Sequence, residues 1–263
     1  MLVAMRDSQR VHARTATKGP VYSCPGCGQV VTLKQGIKVI HHFAHKPPVS
    51  CKWAAGETQG HLRAKDLFLS HFSGLGYAAN VEYPIGAQRA DVHVLNGKGL
   101  PFVFEIQHTS ISPAEIATRT AGYFEAGAVA TWIPVINVAK LKTKPGKDGD
   151  GFVVERYSPK PFERWLHGFN FGEIWFIDPS ASAFWRGRLS ASMIEVAHAE
   201  WHVPGGGTES AGGYSRFSKR WRTLTLTGPY SLADLKFGRR SRRAASVGPY
   251  NYPGGNLVTI APK

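Results

Sequence analysis

The chain has 263 residues, of which 43% are hydrophobic, so it can bury a core in one large domain or in a core with appended modules. Its formal net charge of +14 indicates a polyanionic partner, and nucleic acid is favoured over an anionic membrane because no basic amphipathic helix stands out. No apolar run is long enough to span a bilayer, and Arg6 and Asp7 bring charge too early for a signal peptide, which predicts a cytoplasmic protein with no membrane partner.

Potential metal ligands cluster in the first fifth of the chain. The three cysteines are Cys24, Cys27 and Cys51, and a histidine-rich run occupies positions 41–45. An odd number of bunched cysteines indicates a metal site in preference to disulfides. Tetrahedral zinc takes four ligands, and we favour the two cysteines of Cys24-Pro25-Gly26-Cys27 with His45 and Cys51, with His42 as the competing histidine.

The segment up to about residue 52 is too short to bury much apolar area, so zinc is expected to stabilise it and to have no catalytic role. Buried thiols beside an incidental histidine cluster are the alternative interpretation.

The next predicted element is a helix over Leu62 to Phe72. Glu57, His61 and Lys65 recur at intervals of four residues, and the same helical face continues through Phe68 to Phe72. This pattern predicts a helix whose apolar half packs on a sheet and whose polar half opens onto a site. An exposed ladder of ion pairs is the alternative.

Three strand-like runs follow this helix. The first contains Val81, Tyr83 and Ile85, and the other two span Ala90 to Leu95 and Pro101 to His108.

Asp91 and Glu105 stand at the ends of the second and third strand runs, so a divalent ion can be shared between them. Alternation places Glu105 and Gln107 on one face of their strand, opposite Phe104 and Ile106. Alternatively, Asp91 merely begins a strand and Glu105 is an edge charge.

These residue types suit phosphodiester hydrolysis, because a hard cation held by carboxylates stabilises charge on the phosphate and supplies a nucleophilic water. Asp91 and Glu105 are the expected ligands of Mg²⁺ or Mn²⁺, with His61 or Glu57 completing the set. Gln107 has no charge to offer, so we expect it to orient water or phosphate by hydrogen bonding. Lys65 is then the best candidate for the catalytic cation.

A second helix is predicted from Ser112-Pro113-Ala114-Glu115, a capping box with proline at the first helical position, and Gly127 can end it. Arg119 on this helix is a candidate DNA contact at the mouth of the site, or else a solvated arginine. A buried strand over Ala128 to Val138 closes the unit.

Beyond this unit the composition changes twice. Lys140 to Gly151 reads as a loop or linker, the next stretch is aromatic, and glycine and basic residues dominate from about Pro204. We therefore divide the chain into a zinc module (1–52), a core (53–138), an accessory region (139–203) and a Gly-rich basic tail (204–263).

The tail supplies most of the predicted DNA contacts, because its cations can follow phosphates while interleaved aromatic rings stack on bases. A poorly ordered, solvated tail is the alternative. The cations are Lys219, Arg220, Arg222, Arg239, Arg240, Arg242 and Arg243.

Taken in order, several motifs resemble the competence protein CoiA family. They are Met1-Leu2-Val3-Ala4, Tyr22-Ser23-Cys24-Pro25-Gly26-Cys27, His42-Phe43-Ala44-His45, Glu57 with His61 and Lys65, Arg89-Ala90-Asp91-Val92, Glu105-Ile106-Gln107, and Ser110 with Arg119 and Tyr123. The likeness covers about half of the chain, from Met1 to Val138.

The resemblance implies an α/β protein with a PD-(D/E)XK nuclease-like core, a mixed sheet flanked by helices, preceded by a zinc-ribbon-like module and followed by an aromatic and basic extension. In this pattern Asp91 matches the motif aspartate, Glu105 the acidic residue of the E-x-K position, and Gln107 the place usually held by lysine. It also implies a role in DNA processing during transformation or recombination. Residues after 140 lack this likeness, which leaves a phage or mobile-element setting open.

We therefore expect a DNA endonuclease or nickase that uses Mg²⁺ or Mn²⁺ for catalysis and zinc for structure. A DNA-binding recombination accessory without turnover is the alternative, because Gln107 replaces a cation. A zinc-stabilised RNA-binding protein is a third. The sequence leaves the preferred DNA structure and the oligomeric state open, a homo-oligomer included.

Overall fold

The computed structural model describes residues 1–51, 53, 57–146 and 151–263. Within them lie three sheets, of five, six and five strands, and two small two-stranded ribbons. Part of the predicted loop between Lys140 and Gly151 lies outside the described residues, as does residue 52 at the first predicted boundary. No helix in the described part of the chain is long and apolar enough to cross a membrane.

The N-terminal module is an antiparallel sheet of short strands. Its order is β2-β1-β3-β4-β5, with β1 at Val3–Arg6, β2 at Gln9–His12, β3 at Tyr22–Ser23, β4 at Val30–Lys34 and β5 at His42–His45. The core of the module is small, because most of its side chains are exposed or half-buried and only a few apolar groups are enclosed. A module of this size needs further stabilisation.

The central sheet begins with a helix and a meander. Helix α1 spans Gln59–Gly74, followed by β6 (Ala78–Ile85), β7 (Gln88–Leu95) and β8 (Pro101–Gln107), which pair antiparallel in sequence order. The predicted helix is confirmed and begins earlier than Leu62, because the Thr58 side chain caps it by accepting a hydrogen bond from the backbone N–H of His61.

A crossover then joins β8 to a parallel neighbour. Helix α2 spans Pro113–Glu125 and leads to β9 at Val129–Pro134, which pairs parallel with β8. The predicted cap is confirmed, since the Ser112 hydroxyl accepts from the N–H of Glu115, and Gly127 turns the chain after the helix with φ +75°. A crossover helix is what a parallel pair requires.

The two helices lie on opposite faces of this sheet. Helix α1 packs its Phe68 against Phe104 of β8, in the main hydrophobic core. Helix α2 packs its Tyr123 with Val103 on the other face. Alternation along β8 therefore separates an apolar interface from the face that carries Glu105.

The rest of the chain is mostly strand. Its elements are β10 (Lys144–Pro145), β11 (Phe152–Tyr157), α3 (Pro161–Phe169), β12 (Ile174–Asp178), β13 (Ala183–Val196), β14 (Ala199–Val203), β15 (Gly207–Ala211), β16 (Tyr214–Tyr230), β17 (Leu235–Arg242), β18 (Ala245–Val247), β19 (Tyr250–Tyr252) and β20 (Gly255–Pro262), with short 3-10 turns at Val138–Lys140 and Leu232–Asp234. One antiparallel sheet has the order β10-β11-β16-β13-β12, and beyond it β14 and β15 pair as an exposed hairpin.

The Gly-rich basic segment from residue 204 is folded, unlike the solvated tail that the sequence left open. Strand β20 pairs parallel with β9 and antiparallel with β17, so the central sheet has the order β17-β20-β9-β8-β7-β6. Leu257, Val258 and Ile260 are buried in β20 and anchor it. Glycines and arginines dominate the composition of this segment, so its short apolar pattern gives a weak sequence signal. Gly205 and Gly206, both with positive φ, form the turn between β14 and β15.

Candidate metal and nuclease site

Four ligand atoms converge in the N-terminal module. Cys24 and Cys27 flank the turn after β3, His45 ends β5, and Cys51 follows it, with one ligand atom from each within 4.8 Å of all the others. The Sγ atoms of Cys24 and Cys51 are 3.8 Å apart, and Sγ of Cys27 is 3.4 Å from Nε2 of His45. Tetrahedral zinc with its usual bond lengths places sulfur pairs about 3.8 Å apart and sulfur–nitrogen pairs about 3.6 Å apart. The residues therefore fit zinc.

Backbone donors support these thiolate positions. The N–H of Gly26 donates to Sγ of Cys24 at 3.3 Å, and the N–H of Trp53 donates to Sγ of Cys51 at 3.4 Å. Without a metal, burial raises the pKa of the Cys24 thiol to about 11, so metal binding has to displace its proton. The competing histidine, His42, is outside this group and its Nδ1 lies 2.9 Å from the carbonyl oxygen of Ile40.

A second group of ligand atoms forms where α1 meets the central sheet. Nε2 of His61 lies 3.0 Å from Oδ2 of Asp91, and Nδ1 of His61 lies 3.5 Å from Oε1 of Glu57. One ligand atom from each of these three residues lies within 4.8 Å of the others. Asp91 also accepts a hydrogen bond of 2.9 Å from the N–H of Ile106, so β8 fixes its carboxylate. Two carboxylates and an imidazole are a donor set that a divalent cation accepts.

Lys65 contacts this group on the side away from the cavity. Its ammonium group is fully buried, bonds to Glu57, lies 2.7 Å from Oε1 of Glu82 and 4.0 Å from Oδ1 of Asp91. It is absent from the residues that line the adjoining cavity. The structure thus places Lys65 as a buried counter-ion of three carboxylates, and the cation predicted beside an attacking water is not on the cavity wall.

Glu82 is the residue of this network that sequence reasoning missed. It has no exposed surface, adopts a left-handed backbone conformation with φ +54° within β6, and accepts hydrogen bonds from the N–H groups of Leu2 and Val3. It thereby connects the first strand of the N-terminal module to Lys65. A single glutamate between Val81 and Tyr83 looks like the exposed position of an edge strand, so the sequence carries little signal for it.

Glu105 is held by helix α2 and does not belong to the group of Glu57, His61 and Asp91. Its Oε2 accepts from Arg119 at 2.7 Å, and its Oε1 accepts from the hydroxyl of Tyr123. Arg119 also lies over the Trp132 ring, at 4.7 Å. Arg119, predicted as a DNA contact, therefore bonds to Glu105, while Asp91 and Glu105 line the same cavity.

The group of Glu57, His61 and Asp91 and the neighbouring Glu105 open onto one cavity of about 490 Å³. Its lining includes Glu57, His61, Asp91, Glu105, Gln107, His108, Arg89 and Arg119. Trp53 also lines it, and although the sequence division put residue 53 in the core, its side chain packs against the apolar cluster of the N-terminal module, to which we assign it. The amide nitrogen of Gln107 donates to the carbonyl oxygen of Thr109 at 2.8 Å. The His108 ring, which sequence reasoning did not single out, lies 4.8 Å from that of His61. The predicted polar face therefore lines a real cavity.

The charges shift the proton affinities of these groups. Burial opposes protonation of His61, but Asp91 and Glu57 outweigh it and raise the pKa of His61 to about 9. Burial raises the pKa of Asp91, but His61, Lys65 and the Ile106 N–H outweigh it and lower the value to about 2. Burial and the charge of Asp91 raise the pKa of Glu105 to about 7. The metal-free site therefore holds a proton on His61 that a cation has to displace.

The predicted DNA-binding cations separate into two groups. Lys219, Arg220, Arg239, Arg240 and Arg243 are exposed. Arg222 and Arg242 are half-buried and bond to backbone carbonyls, in the case of Arg242 those of Gly168 and Phe169 at the end of α3. The cations of the first group reach solvent, and Arg220 and Arg240 also lie over the rings of Trp221 and Phe171. The second group stabilises the fold.

These features define a class, a nuclease-like α/β protein with a Cys₃His cluster in its N-terminal module. Family models match in two segments, the competence protein CoiA N-terminal domain over residues 5–54 and the CoiA nuclease-like domain over residues 57–148. Together they cover more than half of the chain, which belongs to the competence protein CoiA family. Searches of curated proteins and of solved structures gave no match. The resemblance seen in the motifs is confirmed.

Proposed function

We propose that this protein is a DNA nuclease that depends on Mg²⁺ or Mn²⁺, with zinc as a structural ion. The observation that carries the proposal is the convergence of Glu57, His61 and Asp91 on the wall of a polar cavity. A cation at such a place activates water and stabilises charge for phosphodiester hydrolysis, and the three residues lie within a nuclease-like family domain.

The arrangement of the core supports a PD-(D/E)XK assignment. A mixed sheet has helices on both faces, and the candidate carboxylates come from the antiparallel neighbours β7 and β8. Helix α1 adds His61 at its first turn, where it reaches Asp91. His61 and Asp91 are thus held by a helix and a strand, which suits a preorganised site, and Glu57 comes just before the cap of α1.

Each side chain has a proposed role. Glu57, His61 and Asp91 bind the cation, which when bound polarises the phosphodiester and a water. Lys65 and Glu82 hold Glu57 and Asp91 in place, and Arg119 with Tyr123 orients Glu105 toward the cavity. Gln107 orients water or phosphate as a neutral donor and acceptor.

Exposed cations on β16 and β17 are the proposed DNA contacts outside the cavity. Strand β16 carries Lys219 and Arg220 near the exposed ring of Phe217, and β17 carries Arg239 and Arg240. Such a surface binds phosphates through charge and bases through stacking. Binding of this kind fits DNA processing in transformation, or recombination in a mobile element.

A DNA-binding accessory protein without turnover is the second candidate. Two observations favour it, because position 107 is a neutral glutamine and Lys65 is enclosed by carboxylates away from the cavity. No lysine then lines the cavity within the described residues. Arg89 and Arg119 carry permanent positive charge in the described part of its lining.

Cleavage assays separate the two candidates. Purified protein is incubated with single-stranded, double-stranded and branched DNA in Mn²⁺, beside Asp91→Ala and the exposed control Asp7→Ala. Cleavage lost in Asp91→Ala and kept in Asp7→Ala supports the nuclease. Tight DNA binding with no cleavage by the wild type supports the accessory. Competition with RNA of equal length tests the third possibility, since strong RNA preference requires recognition beyond charge.

A further inference from the structure

Arg89 is a cation of the cavity that has no carboxylate partner among the residues that the structure describes. It lies two residues before Asp91 at the start of β7 and lines the cavity with Asp91 and Glu105. Within the described residues its Nη1 is covered yet has no hydrogen-bond partner, and the guanidinium group forms no salt bridge. Arg119, by contrast, is bonded to Glu105. A buried donor left unsatisfied is costly, so such a group favours a ligand that accepts from the guanidinium.

The contact that holds Arg89 comes from the N-terminal module. The Cζ atom of Arg89 lies 4.6 Å from the centre of the Trp53 ring, a distance at which a cation and an aromatic face attract. Trp53 follows the zinc-ligand candidate Cys51 and donates its N–H to that sulfur. Its ring also covers Gly26, where an added Cβ would approach Cδ1 of Trp53 to 2.4 Å. The ring is therefore wedged between the zinc-ligand turn and Arg89.

We propose that Arg89 binds the substrate phosphate in the cavity and that Trp53 of the N-terminal module positions its guanidinium group. This inference rests on the proposed nuclease function and deepens it by assigning the phosphate ligand. The N-terminal module then forms one wall of the substrate site, beyond being a separate folding unit.

The charges that line the cavity support separate sites for the cation and for the phosphate. Glu57, His61 and Asp91 present a donor set for a cation, and their negative charge alone would repel a phosphodiester. A guanidinium group binds phosphate oxygens in a bidentate manner, and stacking on a ring fixes its plane without using its donors. Arg89 thus supplies the positive charge that position 107 lacks.

The test measures phosphate binding separately from turnover. The probe is a short fluorescein-labelled single-stranded DNA, bound in Ca²⁺ to protein that carries Asp91→Asn to prevent cleavage. Added in this background, Arg89→Ala should weaken binding by roughly ten- to a hundredfold, as expected for loss of charge-assisted hydrogen bonds. The exposed control Arg6→Ala should change it less than about twofold, as expected of a surface charge outside the site. Inorganic phosphate serves as competitor in the same assay.

Three variants test the positioning role of Trp53. Trp53→Ala should weaken DNA binding by about three- to tenfold. Trp53→Phe should retain most of the wild-type affinity, because phenylalanine keeps an aromatic face. Gly26→Ala should act like Trp53→Ala, since its methyl group displaces the ring without touching Arg89. In cleavage assays on the active background, these changes should raise KM more than they lower kcat. Zinc content and melting temperature verify that each variant is folded.

The outcomes distinguish this inference from the proposed function. If the wild type cleaves DNA and Asp91→Ala does not, while Arg89→Ala and Trp53→Ala keep wild-type binding and KM, the role of Arg89 is refuted and the nuclease stands. If no protein cleaves but Arg89→Ala and Trp53→Ala still lose binding, the phosphate site stands and the nuclease fails. A binding loss in Trp53→Phe equal to that in Trp53→Ala contradicts positioning by ring stacking.

Discussion

Nε2 of His61 lies 3.0 Å from Oδ2 of Asp91, and this contact joins the first turn of α1 to strand β7. It brings together two residues that are thirty positions apart in the chain. The other ring nitrogen of His61, Nδ1, faces Glu57. The N–H of Ile106 donates to Oδ2 of Asp91, the same oxygen that His61 contacts.

Stability of the protein without Mg²⁺ or Mn²⁺ should fall as the pH rises. The pKa of His61 is raised from 6.5 to about 9, so its contribution is complete below pH 6.5 and is lost as the pH passes 9. The loss should amount to at most about 3 kcal/mol in the free energy of unfolding. Urea unfolding at several pH values measures it. His61→Gln should flatten this part of the profile, and an unchanged slope in that variant would contradict the assignment.

Removal of the buried ammonium group of Lys65 should be among the most destabilising changes. Lys65→Met removes the buried ammonium group that pairs with Glu57 and Glu82, which should lower the free energy of unfolding by about 3–5 kcal/mol. Arg63→Met on the exposed side of α1 is the matched control and should cost less than about 1 kcal/mol. Adding Glu82→Gln to Lys65→Met should recover part of the loss. Full additivity of the two changes would argue against a shared ion pair.

The N-terminal module should carry one zinc ion per chain. Cys24→Ser and His45→Ala should remove that zinc and lower the yield of soluble protein, because metal binding contributes folding free energy. His42→Ala should retain it, since His42 lies outside the ligand group. Elemental analysis of the purified variants gives the answer. If zinc is retained in His45→Ala and lost in His42→Ala, the zinc ligand is His42 and the assignment of His45 is wrong.

The basic residues of the C-terminal region should divide into DNA contacts and structural groups. Arg220→Ala should weaken DNA binding and reduce the salt slope by about one unit, with little change in melting temperature. Arg242→Ala should lower the melting temperature, because Arg242 bonds to the carbonyls of Gly168 and Phe169 and lies over the ring of Tyr252. Equal effects of both variants on the salt slope would contradict this division.

The sequence predicted the elements whose signals are local. The helix with His61 and Lys65, the strand alternation around Asp91, and the capping box of α2 all depend on neighbouring positions, and each is present. The Cys₃His group was likewise readable from ligand spacing.

What the sequence missed depends on tertiary contacts. Glu82 becomes a site residue only because the chain folds Leu2 and Lys65 onto it. Strand β20 joins the central sheet beside β9 across more than a hundred residues, a pairing that no local pattern announces. The bond of Arg119 to Glu105 likewise joins α2 to β8 and was not predicted from the sequence. Partners that are distant in sequence decided each of these outcomes.

The most direct test of the account is the location of bound manganese. Crystals grown with Mn²⁺ should show anomalous density between Asp91, His61 and Glu57. The metal–ligand distances should be about 2.2 Å, a length typical of hard divalent ions. The same experiment on Asp91→Ala should show none there. Manganese bound elsewhere, or a wild-type site that stays empty at saturating Mn²⁺ while DNA is cleaved, would contradict the central claim.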